Sequence, residues 1–225
     1  MTRLPASVLS GILLAGLAGT LRSQETSKES GSASSGAASS KPSAHAESSL
    51  PDPGATRDGV YRNPAFGFSY KLPFGWVERT REMQDESDSA GAPKSLLLLA
   101  IFERPPEATG ETVNSAVVIA AEPLSAYPGV KTSVGYFAPL TELTTAQGFE
   151  AVGEPRAFPV GTTSVMRGDF TKLRGTLTMH QTSLVLLEKG YAISFTLIGG
   201  SADEVSQLIE RLSFAPTKKP GPSHK

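Results

Sequence analysis

The residues with the best claim to chemistry lie in the last third of the chain. Arg167, Asp169 and His180 fall on two segments of alternating character, 163–171 and 176–187. With Lys172–Gly175 as the turn between them, Phe170 faces Leu177, Gly168 faces Met179 and Met166 faces Gln181 on a largely apolar side. The opposite side then sets Arg167 across from His180, with Asp169 diagonal to it and Thr178 and Thr182 alongside. Cross-strand neighbours of this kind are close enough for their side chains to interact. The three residues make a polar binding patch in which His180 can carry a proton. The same set equally makes a hydrogen-bonded polar face with a structural role, since ion-pair networks produce identical clusters. Hydrolysis by His180 further requires a nucleophile beside it and an oxyanion hole, and no G-x-S-x-G turn supplies them.

Other chemistries are excluded by composition or spacing. The chain has no cysteine, which removes disulfides, thiol catalysis, cysteine-ligated metals and lipidation at cysteine. His180 is the one histidine inside the expected ordered domain, so a histidine-rich metal site is excluded, and no EF-hand spacing is present. We therefore expect no metal, cofactor or catalytic set. Tyr127 and Lys131 match a Y-x-x-x-K spacing, but Pro128 and Gly129 spoil the helix it needs and no G-x-G-x-x-G accompanies it. Gly199 and Gly200 precede a helix start that could attract an anion. Ser201 and Glu204 form an S-x-x-E capping box that claims the same N–H groups. A formal charge of −1 gives no electrostatic case for nucleic acid or for an acidic membrane surface.

The elements that must position these residues follow from periodicity. Large apolar residues recur every second position in FGFSYKL, Phe66 to Leu72, as in a strand with one buried face. Val60–Arg62 precedes it as a short strand, Pro73 and Gly75 end it, and Trp76 is expected to plug the core edge. Glu78–Pro93 reads as a polar loop, with room for a helical turn in it. Leu96–Phe102 and Ala116–Ala121 are continuous apolar runs, expected as central strands covered on both faces. Residues 130–148 carry Val130, Val134, Phe137 and Leu140 or Thr141 at helical spacing, followed by Leu143, which predicts a helix that Pro139 kinks or divides in two and Gly148 ends. Trp76, Phe137 and Leu140 could then line a gap between helix and sheet able to hold a small apolar ligand. Strands are expected at about 150–158, 163–171, 176–187 and 190–198, the last pair joined at Glu188-Lys189-Gly190. A final helix follows the Ser201 cap, with Val205, Leu208, Ile209 and Leu212 on one face. The fold class is α+β: a mainly antiparallel sheet flanked by helices in an α/β/α sandwich.

All the Phe, Tyr and Trp residues lie between Tyr61 and Phe214. We accordingly divide the chain into a signal peptide (1–23), a disordered Ser/Ala/Gly-rich linker (24–58), one domain (59–216) and a disordered tail (217–225). The apolar run Val8–Gly19 follows Arg3 and is too short to span a bilayer comfortably. Residues 24–58 carry too little apolar surface to offset the entropy of ordering. The expected address is export, periplasmic or secreted, with no stable membrane span after cleavage.

YRNPAFGFSYKLPFGW resembles the opening of PsbP-like domains, an aromatic-rich strand running into a Pro-x-Gly-Trp turn. YAISFTLIGGSADEVSQLIERLSF is similar to their closing strand, capped helix and terminal Ser-Phe, and GFEAVGEPRAFPVG to the strand after their first helix. The resemblance spans most of Tyr61–Phe214. It implies a sheet flanked by helices and a role in protein binding or assembly rather than covalent catalysis. The chain departs from the lipoprotein branch of that family in having no cysteine to acylate. Three functions are carried forward: a non-enzymatic binding or assembly module whose partner is another envelope protein, a carrier of a small apolar ligand, and an envelope hydrolase using His180.

Overall fold

The computed structural model describes residues 50–89 and 95–215. The expected signal peptide, the linker up to residue 49 and the carboxyl tail lie outside the described residues.

Two antiparallel sheets carry the fold. The smaller has four strands in the order β1-β2-β3-β11, comprising β1 (Ala55–Arg57), β2 (Val60–Asn63), β3 (Phe68–Lys71) and β11 (Leu212–Phe214). The larger has seven, β4-β5-β6-β10-β9-β8-β7. Its members are β4 (Val77–Glu78), β5 (Leu96–Phe102), β6 (Ala116–Pro123), β7 (Glu150–Val160), β8 (Thr163–Arg174), β9 (Leu177–Glu188) and β10 (Tyr191–Gly199). Three helices complete the domain: α1 (Thr80–Ser89), α2 (Ser133–Ala146) and α3 (Ala202–Ile209). The α+β class is as expected.

Strand alternation decides which side chains meet across the large sheet. Leu99, Ile119, Phe195 and Leu184 point to one face, where they pack with Val205, Leu208 and Ile209 of α3 and with Tyr61, Phe68 and Tyr70 of the small sheet. Val185, Ala192 and Phe170 point to the other face, beneath Tyr136, Phe137 and Leu140 of α2. On that second face Leu97, Ala100 and Val118 meet Met83 of α1. Helices thus lie on both faces, and the small sheet shares one of them with α3. An early and a late strand meet there: Phe68 of β3 pairs with Phe214 of β11, and the rings of Phe68 and Phe195 stand 5.0 Å apart edge to face.

Several local expectations change. Ala55–Arg57 was placed in the linker, yet it pairs with β2 through Thr56 opposite Tyr61. The Tyr61 hydroxyl donates to the Pro53 carbonyl and Asn63 Nδ2 to the Asp52 carbonyl, tying that segment to buried residues. The polar stretch after Glu78, expected as a loop, contains α1. Backbone and side-chain bonds to β5 hold it instead of an apolar stripe. Arg79 N–H donates to the Ala100 carbonyl, the Thr80 hydroxyl accepts from Ala100 N–H, and Gln84 Nε2 reaches the Leu97 carbonyl at 2.6 Å. In α2 the inward face is Tyr136, Phe137, Leu140 and Thr144, whereas Val134 is exposed. Leu212 belongs to β11 rather than to the final helix, opposite Tyr70.

The helix start at α3 follows the capping logic. Ser201 Oγ accepts from Glu204 N–H at 3.1 Å, and the Glu204 carboxylate reaches back to Gly200 N–H at 2.8 Å. Strands β7 to β10 form successive hairpins with two-residue connections. At Lys189-Gly190 both residues have positive φ, 50° and 81°, as a type I′ turn requires. Strand β7 is the outer edge, with Pro155 and Pro159 in it and a register break between Val152 and Arg156.

Candidate functional site

The patch expected around Arg167 forms with a different register. The hairpin between β8 and β9 turns at Gly175-Thr176, with Arg174 opposite Leu177, so β8 runs three residues further than a turn at Lys172–Gly175 implies, β9 starts one residue later, and the pairing shifts by four. Gly175 takes φ 61°, the left-handed conformation that the first position of a two-residue II′ turn assigns to glycine. Arg167 therefore faces Leu184 instead of His180, and His180 faces Thr171. Because the shift is an even number of residues, no side chain changes face.

Arg167 and Asp169 do meet. Arg167 Nε donates to Asp169 Oδ1 at 2.8 Å, and the Thr182 hydroxyl donates to the same oxygen at 2.6 Å. The neighbouring strand β7 adds Arg156, whose guanidinium donates to Asp169 Oδ2 at 2.8 Å. Arg156 stands opposite Arg167 in the β7–β8 pairing, so the carboxylate is clasped from two strands. Burial alone would raise the Asp169 pKa, but the hydrogen bonds from Thr182, Arg167 and Arg156 outweigh it and hold the carboxyl below its ordinary range. The Arg167 guanidinium also lies 4.9 Å above the Phe158 ring. His180 shares this face, diagonal to Asp169, but the carboxylate is spent on Thr182 and the two arginines. The cluster is a charge-compensated surface element; an Asp-oriented histidine base is not assembled in it.

The second expected grouping is not brought together. Phe137 and Leu140 of α2 pack on one face of the large sheet, whereas Trp76 packs against the core on the other. Phe137 also presses directly on the sheet. A Cβ added to Gly168 would lie 2.4 Å from its Cε1, so glycine permits the contact and no gap opens there. Tyr127 and Lys131 flank the break between β6 and α2 and are not on one helix turn, since α2 begins at Ser133.

A site that sequence reasoning missed lies under the start of α2. Glu122, near the end of β6, is 3% exposed, and the Tyr127 hydroxyl donates to its Oε2. Tyr136 is the carboxyl's second hydrogen-bonding neighbour, and the Tyr127 and Tyr136 rings meet edge to face at 5.2 Å. No cation pairs with Glu122 among the described residues. Burial pushes its carboxyl up, against the smaller opposing pull of the tyrosine hydrogen bonds. Burial likewise pushes the Tyr136 hydroxyl far up, with the neighbouring Glu122 carboxyl adding to it. The one available signal was a lone acid ending an apolar run, AVVIAAEP, before a proline. Among the described residues no group of three or more His, Asp or Glu residues is placed to hold a metal ion. Nor is any helix among them long and apolar enough to cross a membrane.

No family model matches the chain, and no curated protein matches it. Solved structures do. The solution structure of the PsbP protein of Synechocystis is 18% identical, covers 69% of this chain and 91% of its own, and gives a TM-score of 0.43. LpqN of Mycobacterium tuberculosis, described as involved in cell envelope biogenesis, is 15% identical over 73% of this chain and 87% of its own, with a TM-score of 0.37. A protein of unknown function from Pseudomonas aeruginosa is 18% identical over 49% of this chain and 79% of its own, with a TM-score of 0.35. The first two are of the kind that the sequence resemblance named. The likeness concerns the arrangement of strands and helices, and no activity or partner follows from it.

Proposed function

We propose that the chain is an exported, non-enzymatic binding or assembly module of the cell envelope, and that it takes a protein partner on the open end of β7, β8 and β9. One observation carries the choice of surface. On the strand face that holds the Arg156–Asp169–Arg167 cluster, Val152 is 49% exposed and Leu173 72% exposed. Val152 stands directly opposite Asp169, and Leu173 lies four residues further along β8. An apolar pair beside two arginines held in place by one carboxylate has the make-up of a protein interface, where Arg is enriched and an apolar centre is rimmed by polar groups. The hairpins fix these groups before any partner arrives, which keeps the ordering cost of binding low. The exported address rests on the short apolar run Val8–Gly19 and the Ser/Ala/Gly-rich stretch that follows it.

The test places a photo-crosslinking amino acid at Leu173, at Val152 and, as a control of equal exposure, at Val134 on α2. Irradiation of cells producing the full chain should give one shared partner band from Leu173 and Val152 and none from Val134. A Leu173→Glu substitution should lower the yield from the Val152 position at least tenfold. Equal bands from all three positions, or none from Leu173 and Val152, would overturn the reading. Loss of a measurable turnover on His180→Ala substitution would replace it with a hydrolase.

A further inference from the structure

The outer face of the small sheet carries charge of one sign. Strand pairing sets Ala55, Arg62, Ser69 and Ser213 in one row and Arg57, Val60 and Lys71 in the next. Their partners in alternation, Tyr61, Phe68, Tyr70 and Leu212, are buried in the core, so these two rows face solvent. The Ser69 and Ser213 hydroxyls, 2.9 Å apart, confirm that shared side. The face thus holds three exposed cations, Arg57, Arg62 and Lys71, and no carboxylate. Asp58 and Glu210 stand at its ends, in the β1–β2 turn and just before β11. The whole chain has a formal charge of only −1, so this clustering is local.

Three residues past Lys71, the turn from β3 to β4 holds Phe74 wholly out in solvent. Nothing in the fold requires a phenylalanine there: Gly75 supplies the positive φ of the turn and Trp76 supplies the packing. The segment before residue 50 joins the domain at β1, the edge strand of this same sheet. We propose that this face lies on an anionic phospholipid bilayer, with Arg57, Arg62 and Lys71 over the headgroups and Phe74 inserted at the interface. A solvent-facing sheet surface with three cations, followed within three residues by an exposed aromatic ring, suits an anionic bilayer, to which charge gives attraction and the ring gives depth. The surface is distinct from the β7–β9 patch, so the fates of the two readings are separable.

Trp76 is the only tryptophan and stands two residues from Phe74, which makes it a local reporter. The full chain is mixed with vesicles of phosphatidylcholine alone, or containing a third phosphatidylglycerol, with bromine-labelled acyl chains. Trp76 emission should be quenched in the phosphatidylglycerol vesicles only, and 0.5 M salt (~3–4 Å screening length) should abolish the quenching. A basic residue at an anionic leaflet strengthens binding about fivefold, so the triple variant Arg57→Gln, Arg62→Gln, Lys71→Gln should weaken it on the order of 100-fold. Phe74→Ser should weaken it about tenfold. All four side chains are exposed, and unchanged thermal melting will confirm that the variants are folded. Equal quenching in both vesicle types, quenching indifferent to the triple variant, or sedimentation with vesicles without quenching would each overturn the proposal. The last outcome would show contact through the amino-terminal segment instead.

Discussion

Glu122 and Asp169 stand on opposite faces of the same seven-stranded sheet, and each takes a carboxyl group largely out of water. Asp169 remains charged because two arginines and a threonine hydroxyl are arranged around it. Glu122 has two tyrosine neighbours and, among the described residues, no cation, so burial makes it hold its proton more tightly than an exposed glutamate does. Removing a charge from water is costly unless it is paired or neutralised, and the sheet uses both solutions. The outer strands, where solvent is near, hold an ion cluster. The strip beneath α2, where it is not, holds an acid whose pKa is raised.

Breaking the ion cluster should have the largest effect. Asp169→Ala leaves Arg167, whose side chain is 15% exposed, without its carboxylate. The expected loss is about 2–3 kcal/mol in urea denaturation at pH 7, because a half-buried cation is stranded. Asp169→Asn keeps the shape and should cost about half of that. Since the Asp169 pKa is depressed, its contribution is intact above the ordinary carboxylate range and is lost as pH falls through the lowered value. The Asn variant should therefore show a shallower acid limb than the wild type.

Glu122 should behave with the opposite sign. Its folded pKa is raised, so the stability it allows is complete below the ordinary carboxylate range and drains away as pH rises through the raised value. Glu122→Gln cannot ionise. Relative to the wild type it should gain about 1.4 kcal/mol per pH unit across that window and then level off, as read by denaturant melts from pH 4 to pH 9. A gain that appears as pH is lowered would refute the raised pKa. The smallest effect belongs to Arg156→Ala. That side chain is 53% exposed, and its loss should cost no more than about 0.5–1 kcal/mol while Arg167 still holds the carboxylate.

The contrast also shows what could be read from residue order. Alternation assigned Arg167, Asp169 and His180 to one face, and they share it, because an even shift in register leaves faces unchanged. Alternation does not locate the turn, so the partner across from Arg167 was four residues out. Leu96–Phe102 and the Ser201–Glu204 cap were legible because each is a strong local signal. Helix α1 was not, since one methionine makes no apolar stripe and its hold comes from bonds to a strand more than ten residues away. Glu122 was hidden for a related reason. A single acid at a strand end looks like surface until α2 folds over it, and the tyrosines that surround it come from outside the strand.

The meeting of β3 with β11 has a consequence for the order of events in folding. Ser69 and Ser213 touch across a separation of 144 residues, and the Tyr70 hydroxyl donates to the Leu208 carbonyl at nearly the same distance along the chain. Closing so long a loop is entropically costly before any contact rewards it, and folds dominated by such pairings assemble slowly. Within the small sheet the β1–β2 and β2–β3 pairings are local, and the β3–β11 pairing is the one that must wait for a long loop to close. Until Leu212–Phe214 has been synthesised, β3 lacks its second partner strand and the rings of Phe68 and Phe195 lack Phe214.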